Sequence, residues 1–192
     1  ERKMMIFFIL INFILVVTFL TSCSDSDETI EVMRVAEAEQ STMEKMILLG
    51  NPFFSESSLS LNYPRFDLIQ NEHYFPAFEQ GMGEHLTEIE TIISQIEPPT
   101  FENTIVALEI SGQLYDRVAS VFFALSSAHT NDEILNLQQR LAPELASYED
   151  SIMLNRKLFA RIVDLYEKRN TLSLDDESTR LLEKIYKDFI RS

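Results

Sequence analysis

Apolar residues recur at helical spacing through most of the chain, and this periodicity limits the possible folds more than any other feature. The clearest set follows steps of three or four residues: Phe78, Met82, Leu86, Ile89, Ile93 and Ile96. Such steps keep the side chains on one face of a helix with about 3.6 residues per turn. No segment alternates between apolar and polar residues for long enough to indicate a strand. The sequence therefore predicts an all-α fold.

The pattern predicts about five helices within residues 68–191. Pro76 is placed in the first turn of the first helix, where its missing N–H costs nothing. The segment "EPP", which ends at Pro99, is expected to stop that helix. Thr100 is then the expected N-cap of the second helix, with the negative charge of Glu102 favourable near its positive end.

The second helix is predicted to run without a break over residues 100–127. Two apolar stripes follow it, one through Ile105 and Phe122 and the other through Ile110 and Val118. A helix that is apolar on two faces is typical of a position inside a bundle. Gly112 in the first stripe is small enough to let a partner helix come close.

Three further helices complete the predicted array. Asn131 is the expected cap of the third, in which Pro143 should produce a kink. Asp175 is the expected cap of the last. The apolar positions of the three helices are Ile134, Leu137, Leu141, Leu145, Tyr148 and Ile152, then Leu158, Ile162 and Leu165, then Leu181, Ile185 and Phe189.

The first 22 residues have the parts of a secretory signal. Arg2 and Lys3 form a short basic region, the stretch from Met4 to Leu20 is almost wholly apolar, and small residues follow it. The apolar stretch is short for a permanent spanning helix, which needs about 20 apolar residues. We therefore interpret residues 1–22 as a signal peptide.

Cys23 is the one cysteine of the chain and follows this signal directly. The segment "LTSC" resembles a bacterial lipobox, in which the cysteine thiol is acylated and becomes the new N-terminus after cleavage. An intrachain disulfide would need a second cysteine. An ordinary cleaved signal, a signal anchor and a reactive thiol remain alternatives. The preferred interpretation makes Cys23 a lipidation site that holds the protein at a membrane of the bacterial cell envelope.

Residues 23–50 are interpreted as the lipidated cysteine and an acidic tether, and residues 51–192 as the helical domain. The formal net charge of the chain is −15. So acidic a surface argues against nucleic acid or anionic lipid as a direct partner. The protein would contact the membrane through the lipid on Cys23. Glu1 in place of an initiator Met, and a last helix still apolar at Ser192, predict truncation at both ends.

The sequence offers no complete catalytic or metal-binding motif. Its three histidines are His73, His85 and His129, and none has the Glu-x-x-His continuation that places two imidazoles around a zinc ion. His85 and Glu88 begin an inverted motif of this kind, but an isoleucine stands where its second histidine should be. His85 is therefore predicted to lie at the boundary of an apolar stripe.

Motifs for nucleophiles and phosphate loops are absent from the 192 residues as well, since there is no Gly-x-Ser-x-Gly elbow and no Gly-rich loop. The carboxylate pairs Glu88/Glu90 and Asp175/Asp176 are interpreted as solvated faces or caps. The residues alone thus predict an anchored, acidic, helical domain without an active site of its own.

From Asn51 onward the chain contains distinctive segments in a fixed order: "NPFF", "YPRFDLIQNEHYFPAFEQGM", "EPPTFENTIVALE", "SGQL", "VFFAL", "LNRKLFARIVDLY" and "LDDESTRLLEKIYKDFIRS". Together they resemble the N-terminal part of the peptidyl-dipeptidases, within the zinc metallopeptidase family of thimet oligopeptidase, neurolysin and oligopeptidase A. The resemblance covers residues 51–192, and "PPTFENT" is its sharpest match. "NPFF" and "PRFD" favour the peptidyl-dipeptidase branch over the oligopeptidase A branch.

This resemblance implies a nearly all-helical, neurolysin-like, two-lobed enzyme with a narrow channel that admits short unstructured peptides. In the family, a zinc ion held by His-Glu-x-x-His and a more distant glutamate activates water, and the motif glutamate acts as the general base. That motif lies downstream of the region seen here. The expectation is therefore that no catalytic or metal residue lies in this chain, which would be inactive alone and would shape the channel. The rival interpretation is a non-catalytic helical lipoprotein that acts as a binding or structural module, and a family relative without its zinc motif is a third.

Overall fold

The computed structural model describes residues 50–128 and 131–191. Six α-helices lie in this part of the chain, and no strand is present there, which confirms the all-α prediction. A π-helical segment, Phe101–Val106, leads into the second of them. The helices are α1 (Asn71–Ile93), α2 (Ala107–Glu109), α3 (Gln113–Ala128), α4 (Asp132–Met153), α5 (Arg156–Lys168) and α6 (Asp176–Arg191).

Helix α1 begins five residues before the predicted proline, so the placement of Pro76 in the first turn is wrong. The start is fixed at Gln70, whose backbone N–H donates to Nδ1 of His73 at 3.0 Å. Pro76 therefore lies inside the helix, where it removes one backbone donor. The helix ends at Ile93, and Ile96 is 98% exposed in the segment that follows. Ile96 is thus not part of the buried stripe, because the helix stops before it.

The predicted unbroken helix 100–127 is interrupted between Glu109 and Gln113. Thr100 does cap the π-helical segment, since its side chain accepts the N–H of Asn103 at 3.0 Å. The interruption lies at Gly112, whose φ of +73° is a left-handed value that glycine adopts at little cost. Because the chain turns there, Ile110 is 61% exposed rather than part of an inner stripe.

Asparagine and aspartate side chains fix the starts of the last three helices. Asn131 accepts the N–H of Ile134 at 2.9 Å, and Asp175 accepts the N–H of Ser178 at 2.7 Å, which confirms both predicted caps. Asn155, which the sequence analysis did not identify, caps α5 in the same way. Pro143 lies inside α4 as predicted.

The N-terminal half of α1 packs against α3, α4 and the 3-10 turn Pro52–Phe54 to form what we call the aromatic core. Its ring-bearing members are Phe53, Tyr74, Phe78, Phe122 and Tyr148. Their rings meet at steep angles, such as the 88° between Phe78 and Phe122 at a centroid distance of 5.4 Å. Edge-to-face pairs of this kind are the preferred geometry of aromatic side chains.

The C-terminal half of α1, the π-helical segment, α5 and α6 all contribute side chains to a second cluster, the aliphatic core. Its buried members are Ile89, Ile92, Ile105, Leu158, Ile162, Leu165, Leu182 and Ile185. All of these lie on the apolar stripes predicted from the sequence except Ile92 and Leu182, which lie beside them. One helix thus joins two cores of different composition.

Close contact between α1 and α3 is made possible by Gly81. A Cβ atom added at Gly81 would lie 2.8 Å from the backbone nitrogen of Tyr115. The sequence predicts this role for Gly112, which instead lies in the break between α2 and α3. Gly112 does face α1, but the group it meets there is the side chain of His85.

Candidate functional site

The predicted lipidation site, Cys23, lies outside the described residues, as do the signal peptide, His129 and nearly all of the tether. Within residues 50–128 and 131–191, no helix is long and apolar enough to cross a membrane. In the same residues no group of three or more His, Cys, Asp or Glu side chains is arranged to hold a metal ion. Polar side chains of these residues form hydrogen-bonded clusters beside the packed cores.

The first cluster, which we call the His85 relay, joins three elements at the edge of the aromatic core. Nδ1 of His85 on α1 lies 2.5 Å from the hydroxyl of Tyr148 on α4. Nε2 of His85 lies 2.9 Å from the hydroxyl of Ser111 in the turn before α3. The Ser111 hydroxyl donates to the carbonyl of Leu108 at 2.6 Å.

These contacts define the protonation of the imidazole. Because the Ser111 hydroxyl donates to Leu108, it accepts a hydrogen bond from Nε2–H of His85. Nδ1 is then the acceptor of the Tyr148 hydroxyl proton. Burial lowers the pKa of His85 and raises that of Tyr148, while the charges of Glu88 and Asp116 act to raise the pKa of His85. The relay is thus a chain of neutral groups at neutral pH.

Glu88 is bound within the same turn. Its Oε2 accepts the backbone N–H of Gly112 at 2.7 Å, so the interpretation of Glu88 as part of a purely solvated face is incomplete. His85 is half-buried at the edge of the apolar stripe, which confirms its predicted boundary position. Ser111 is 8% exposed, and its hydroxyl proton is committed to a carbonyl. The serine–histidine pair is therefore arranged to hold the turn rather than to attack a substrate.

The second cluster surrounds Arg161 of α5, which is only 9% exposed. Its guanidinium donates to Oγ1 of Thr104 at 3.2 Å, to Oδ1 of Asn103 at 3.0 Å and to the carbonyl of Glu97 at 3.4 Å. All three acceptors are neutral oxygens. We call this group the Arg161 cluster.

Asn103 lies at the centre of that cluster. Its Oδ1 also accepts the N–H of Thr100 and the hydroxyl of Thr104, both at 2.8 Å, and its Nδ2 donates to the carbonyl of Pro98 at 3.0 Å. Buried polar groups need such partners, because an unsatisfied one costs about 1–3 kcal/mol. The "PPTFENT" segment is thereby fastened to α5 through Arg161.

The "NPFF" segment is fastened in a similar way. The side chain of Asn51, only 4% exposed, accepts the N–H of Phe53 at 3.1 Å and donates to the carbonyl of His73 at 2.8 Å. Arg117 of α3 donates to the carbonyl of Phe53 at 2.8 Å. The two segments that carry most of the resemblance are thus held in place by buried polar contacts.

A cleft of about 420 Å³ opens between α1 and the turn that precedes α3. Apolar side chains and charged groups share its walls, with Glu84 and Glu88 on α1 and Arg117 on α3. Each of these three side chains already has a partner, since Glu84 accepts from Gln80 at 2.8 Å. Its size lies within the range of small-ligand sites, but its polar groups serve the fold.

The burial of Arg161 was not predicted, although the sequence contains a signal for it. Arg161 lies three residues after Leu158 and four before Leu165, on the same stripe as these two core residues. A charged residue on a core-facing stripe indicates a buried polar contact. The His85 relay had no such signal, because Ser111 and Tyr148 are 26 and 63 residues away from His85 along the chain.

Comparison with known proteins supports the resemblance stated above. The chain is 47% identical over 140 residues to a dipeptidyl carboxypeptidase of Escherichia coli strain K12, and 46% identical over 140 residues to one of Salmonella typhimurium. It is 22% identical over 141 residues to oligopeptidase A of Escherichia coli. In each case 73% of this chain is matched, and the match spans about a fifth of the length of the relative. No family model matches the chain.

Proposed function

We propose, on the premise that this chain is a relative of the dipeptidyl carboxypeptidases over 140 residues, that it supplies the helical wall of a peptide channel in a zinc metallopeptidase. The whole enzyme would remove dipeptides from the C-termini of short unstructured peptides. The observation that carries this proposal is the identity of 47% over 140 residues, which is high enough to indicate a shared structure and function. The identity to oligopeptidase A is only 22%, and this difference favours the dipeptidyl carboxypeptidase branch over the oligopeptidase A branch.

The geometry of the polar clusters supports a wall rather than a catalytic centre. The His85 relay and the Arg161 cluster spend their hydrogen bonds on the turn 108–112 and the "PPTFENT" segment. The described residues offer no set of ligands for zinc. In this proposal the ion and the general base belong to residues outside the chain, and the chain decides which peptides reach them.

The catalytic part of this proposal is tested by exchanging homologous segments. In the chimera, the 140 matched residues of this chain replace the corresponding residues of the Escherichia coli dipeptidyl carboxypeptidase. We expect chelator-sensitive release of dipeptides within about tenfold of the relative's kcat/KM, a change of about 1.4 kcal/mol in the activation barrier. The same relative with the segment deleted is the control, and an intact but inactive chimera would contradict the proposal.

Residues 46–192 alone should show no chelator-sensitive cleavage of the same peptides. Turnover by this fragment would place a catalytic site inside the chain, against the proposal. Reading the gene beyond the codon for Ser192 gives a further test. An open frame that encodes His-Glu-x-x-His supports the enzyme, whereas a stop codon soon after Ser192 supports the rival, a non-catalytic helical lipoprotein.

We further propose that the protein is held in the bacterial cell envelope by a lipid on Cys23, with residues 24–50 as its tether. The support is the sequence order of a basic start, an apolar stretch and "LTSC". Several acyl chains would make the attachment stable, since a single chain binds only marginally. Labelling with radioactive palmitate should mark the wild-type protein and not Cys23→Ala. Equal labelling of both proteins would contradict this assignment.

A further inference from the structure

Exposed apolar side chains are concentrated in the loop 57–68, which contains the 3-10 turn Ser60–Asn62 and precedes α1. A single exposed apolar residue needs no explanation, but a contiguous group indicates an interaction site. Five such residues lie within ten positions of this loop: Leu59 (43% exposed), Leu61 (98%), Tyr63 (61%), Phe66 (42%) and Leu68 (48%).

The loop is held in one conformation by its own backbone and side chains. The Ser57 hydroxyl donates to the carbonyl of Tyr63 at 2.6 Å, and it accepts the N–H of Leu59 at 3.2 Å. The rings of Tyr63 and Phe66 meet edge to face at a centroid distance of 5.7 Å. Such internal contacts pre-organise a surface, which lowers the entropy that binding must remove.

The tip of the loop carries backbone strain. Leu61 and Asn62 have φ values of 57° and 54°, in the left-handed region that favours glycine. The left-handed conformation costs free energy at a leucine. The side chain of Leu61 is almost fully exposed, so packing within the described residues does not offset this cost. Strain of this kind is typical of sites whose geometry serves binding.

Charge narrows the class of partner. Arg65 and Asp67 are the two charged residues of the loop, and they form a bidentate pair with distances of 2.8 and 2.7 Å. The loop is therefore neutral within a chain of net charge −15. A surface that is apolar, neutral and pre-organised fits another apolar protein surface and does not fit nucleic acid or a charged small molecule.

We propose that the loop 57–68 is the docking surface for the part of the peptidase that lies outside this chain. This inference rests on the proposed function, because it takes the chain to work within a longer protein. The relatives supply the occupant, since the match spans about a fifth of their length and leaves most of each polypeptide outside it. The loop also contains "YPRFD", one of the segments that carry the resemblance.

Protection from chymotrypsin tests the proposal, because this protease cleaves after Leu, Tyr and Phe. In the chimera described above, we expect cleavage within the loop to be at least about tenfold slower than in the isolated 192-residue chain, because docking closes the site to the protease. Leu61→Asp should restore fast cleavage in the chimera. Ile96→Asp is the matched control, since Ile96 is also 98% exposed but lies outside the loop, and it should leave the protection unchanged.

The outcomes separate the two proposals. An active chimera whose loop is cut as fast as in the isolated chain overturns the docking surface and leaves the proposed function standing. A protected loop in an inactive chimera contradicts the proposed function and supports the docking surface. An isolated chain that is dimeric by light scattering and becomes monomeric on Leu61→Asp would assign the loop to a second copy. Binding to phosphatidylcholine vesicles that is lost in Leu61→Asp would assign it to lipid. Either result overturns the inference.

Discussion

The aromatic core and the aliphatic core are built on two halves of the same helix, but their buried side chains are of different kinds. Five of the twelve buried residues of the aromatic core carry rings, whereas all eight of the aliphatic core are Ile or Leu. Rings have preferred mutual angles, and aliphatic side chains pack without directional preference. The aromatic core should therefore tolerate truncation less well than the aliphatic core.

The polar clusters at the edges of the two cores differ as well. The His85 relay, beside the aromatic core, consists of neutral groups, and burial lowers the pKa of its imidazole. The Arg161 cluster, beside the aliphatic core, joins a guanidinium to neutral oxygens and contains no histidine. Acid should therefore affect one edge of the molecule and not the other.

The largest expected loss follows from Phe122→Ala in the aromatic core. Phe122 is fully buried, and its ring lies 5.2 Å from that of Tyr74 and 5.4 Å from that of Phe78. Removing it should lower the free energy of unfolding by about 3–5 kcal/mol, measured by urea denaturation. Phe123→Ala, at a neighbouring ring that is 40% exposed, is the control and should cost much less. The comparison of cores fails if Ile162→Ala in the aliphatic core costs more than Phe122→Ala.

A smaller loss is expected from Arg161→Met, which keeps much of the side-chain volume but removes every donor. The substitution removes the donor to Oγ1 of Thr104, a fully buried residue, and one of the three donors to Oδ1 of Asn103. Leaving a buried acceptor without its donor should cost about 1–3 kcal/mol in the free energy of unfolding. Arg156→Met, on the exposed side of the same helix, is the control and should stay within about 0.5 kcal/mol. Equal effects would show that the buried cation does not fasten the "PPTFENT" segment.

Two glycine substitutions should have opposite signs. In Gly112→Ala the new Cβ would lie 2.6 Å from Nδ1 of His85, at a φ of +73° that alanine disfavours, so stability should fall by about 1–3 kcal/mol. In Gly83→Ala the new methyl group meets open space in the interior of α1, so stability should rise by up to about 1 kcal/mol. Thermal unfolding of both variants checks the pair, and a stable Gly112→Ala would contradict the assigned turn.

The helices could be predicted from sequence because their apolar spacing and capping residues act over a few positions. Thr100, Asn131 and Asp175 each bind a backbone N–H three residues ahead, which is a local event. The break at Gly112 was missed because the apolar spacing continues across it. Only the contacts of Gly112 with Glu88 and His85, more than 20 residues away along the chain, reveal the turn.

The candidate site was less predictable than the fold for the same reason. The Arg161 cluster joins residues 57 to 64 positions apart, and the spacing of one helix says nothing about which segment packs against it. The resemblance of "PPTFENT" and "LNRKLFARIVDLY" to one family indicated that both segments matter. It did not indicate that they contact each other.

The smallest expected effect is the response of the His85 relay to acid. Because burial holds the pKa of His85 below 6.5 in the folded state, the unfolded chain binds more protons between the two values. The contribution of His85 to stability is thus complete above pH 6.5 and is lost as the pH falls through the folded value. The free energy of unfolding, measured by urea at pH 7.5 and 5.5, should drop more in the wild type than in His85→Gln.

Glu88→Gln sharpens this test because it should enlarge the loss of stability in acid, whereas His85→Gln should reduce that loss. The charge of Glu88 raises the pKa of His85, and a glutamine keeps an oxygen that can accept the N–H of Gly112. Removing the charge should lower the pKa of His85 further and enlarge the loss of stability between pH 7.5 and 5.5. Arg161→Met should leave that loss unchanged, because the hydrogen bonds of Arg161 go to Thr104, Asn103 and Glu97 and not to the His85 relay. An equal loss in wild type, His85→Gln and Glu88→Gln would show that the two cores do not differ in their response to acid.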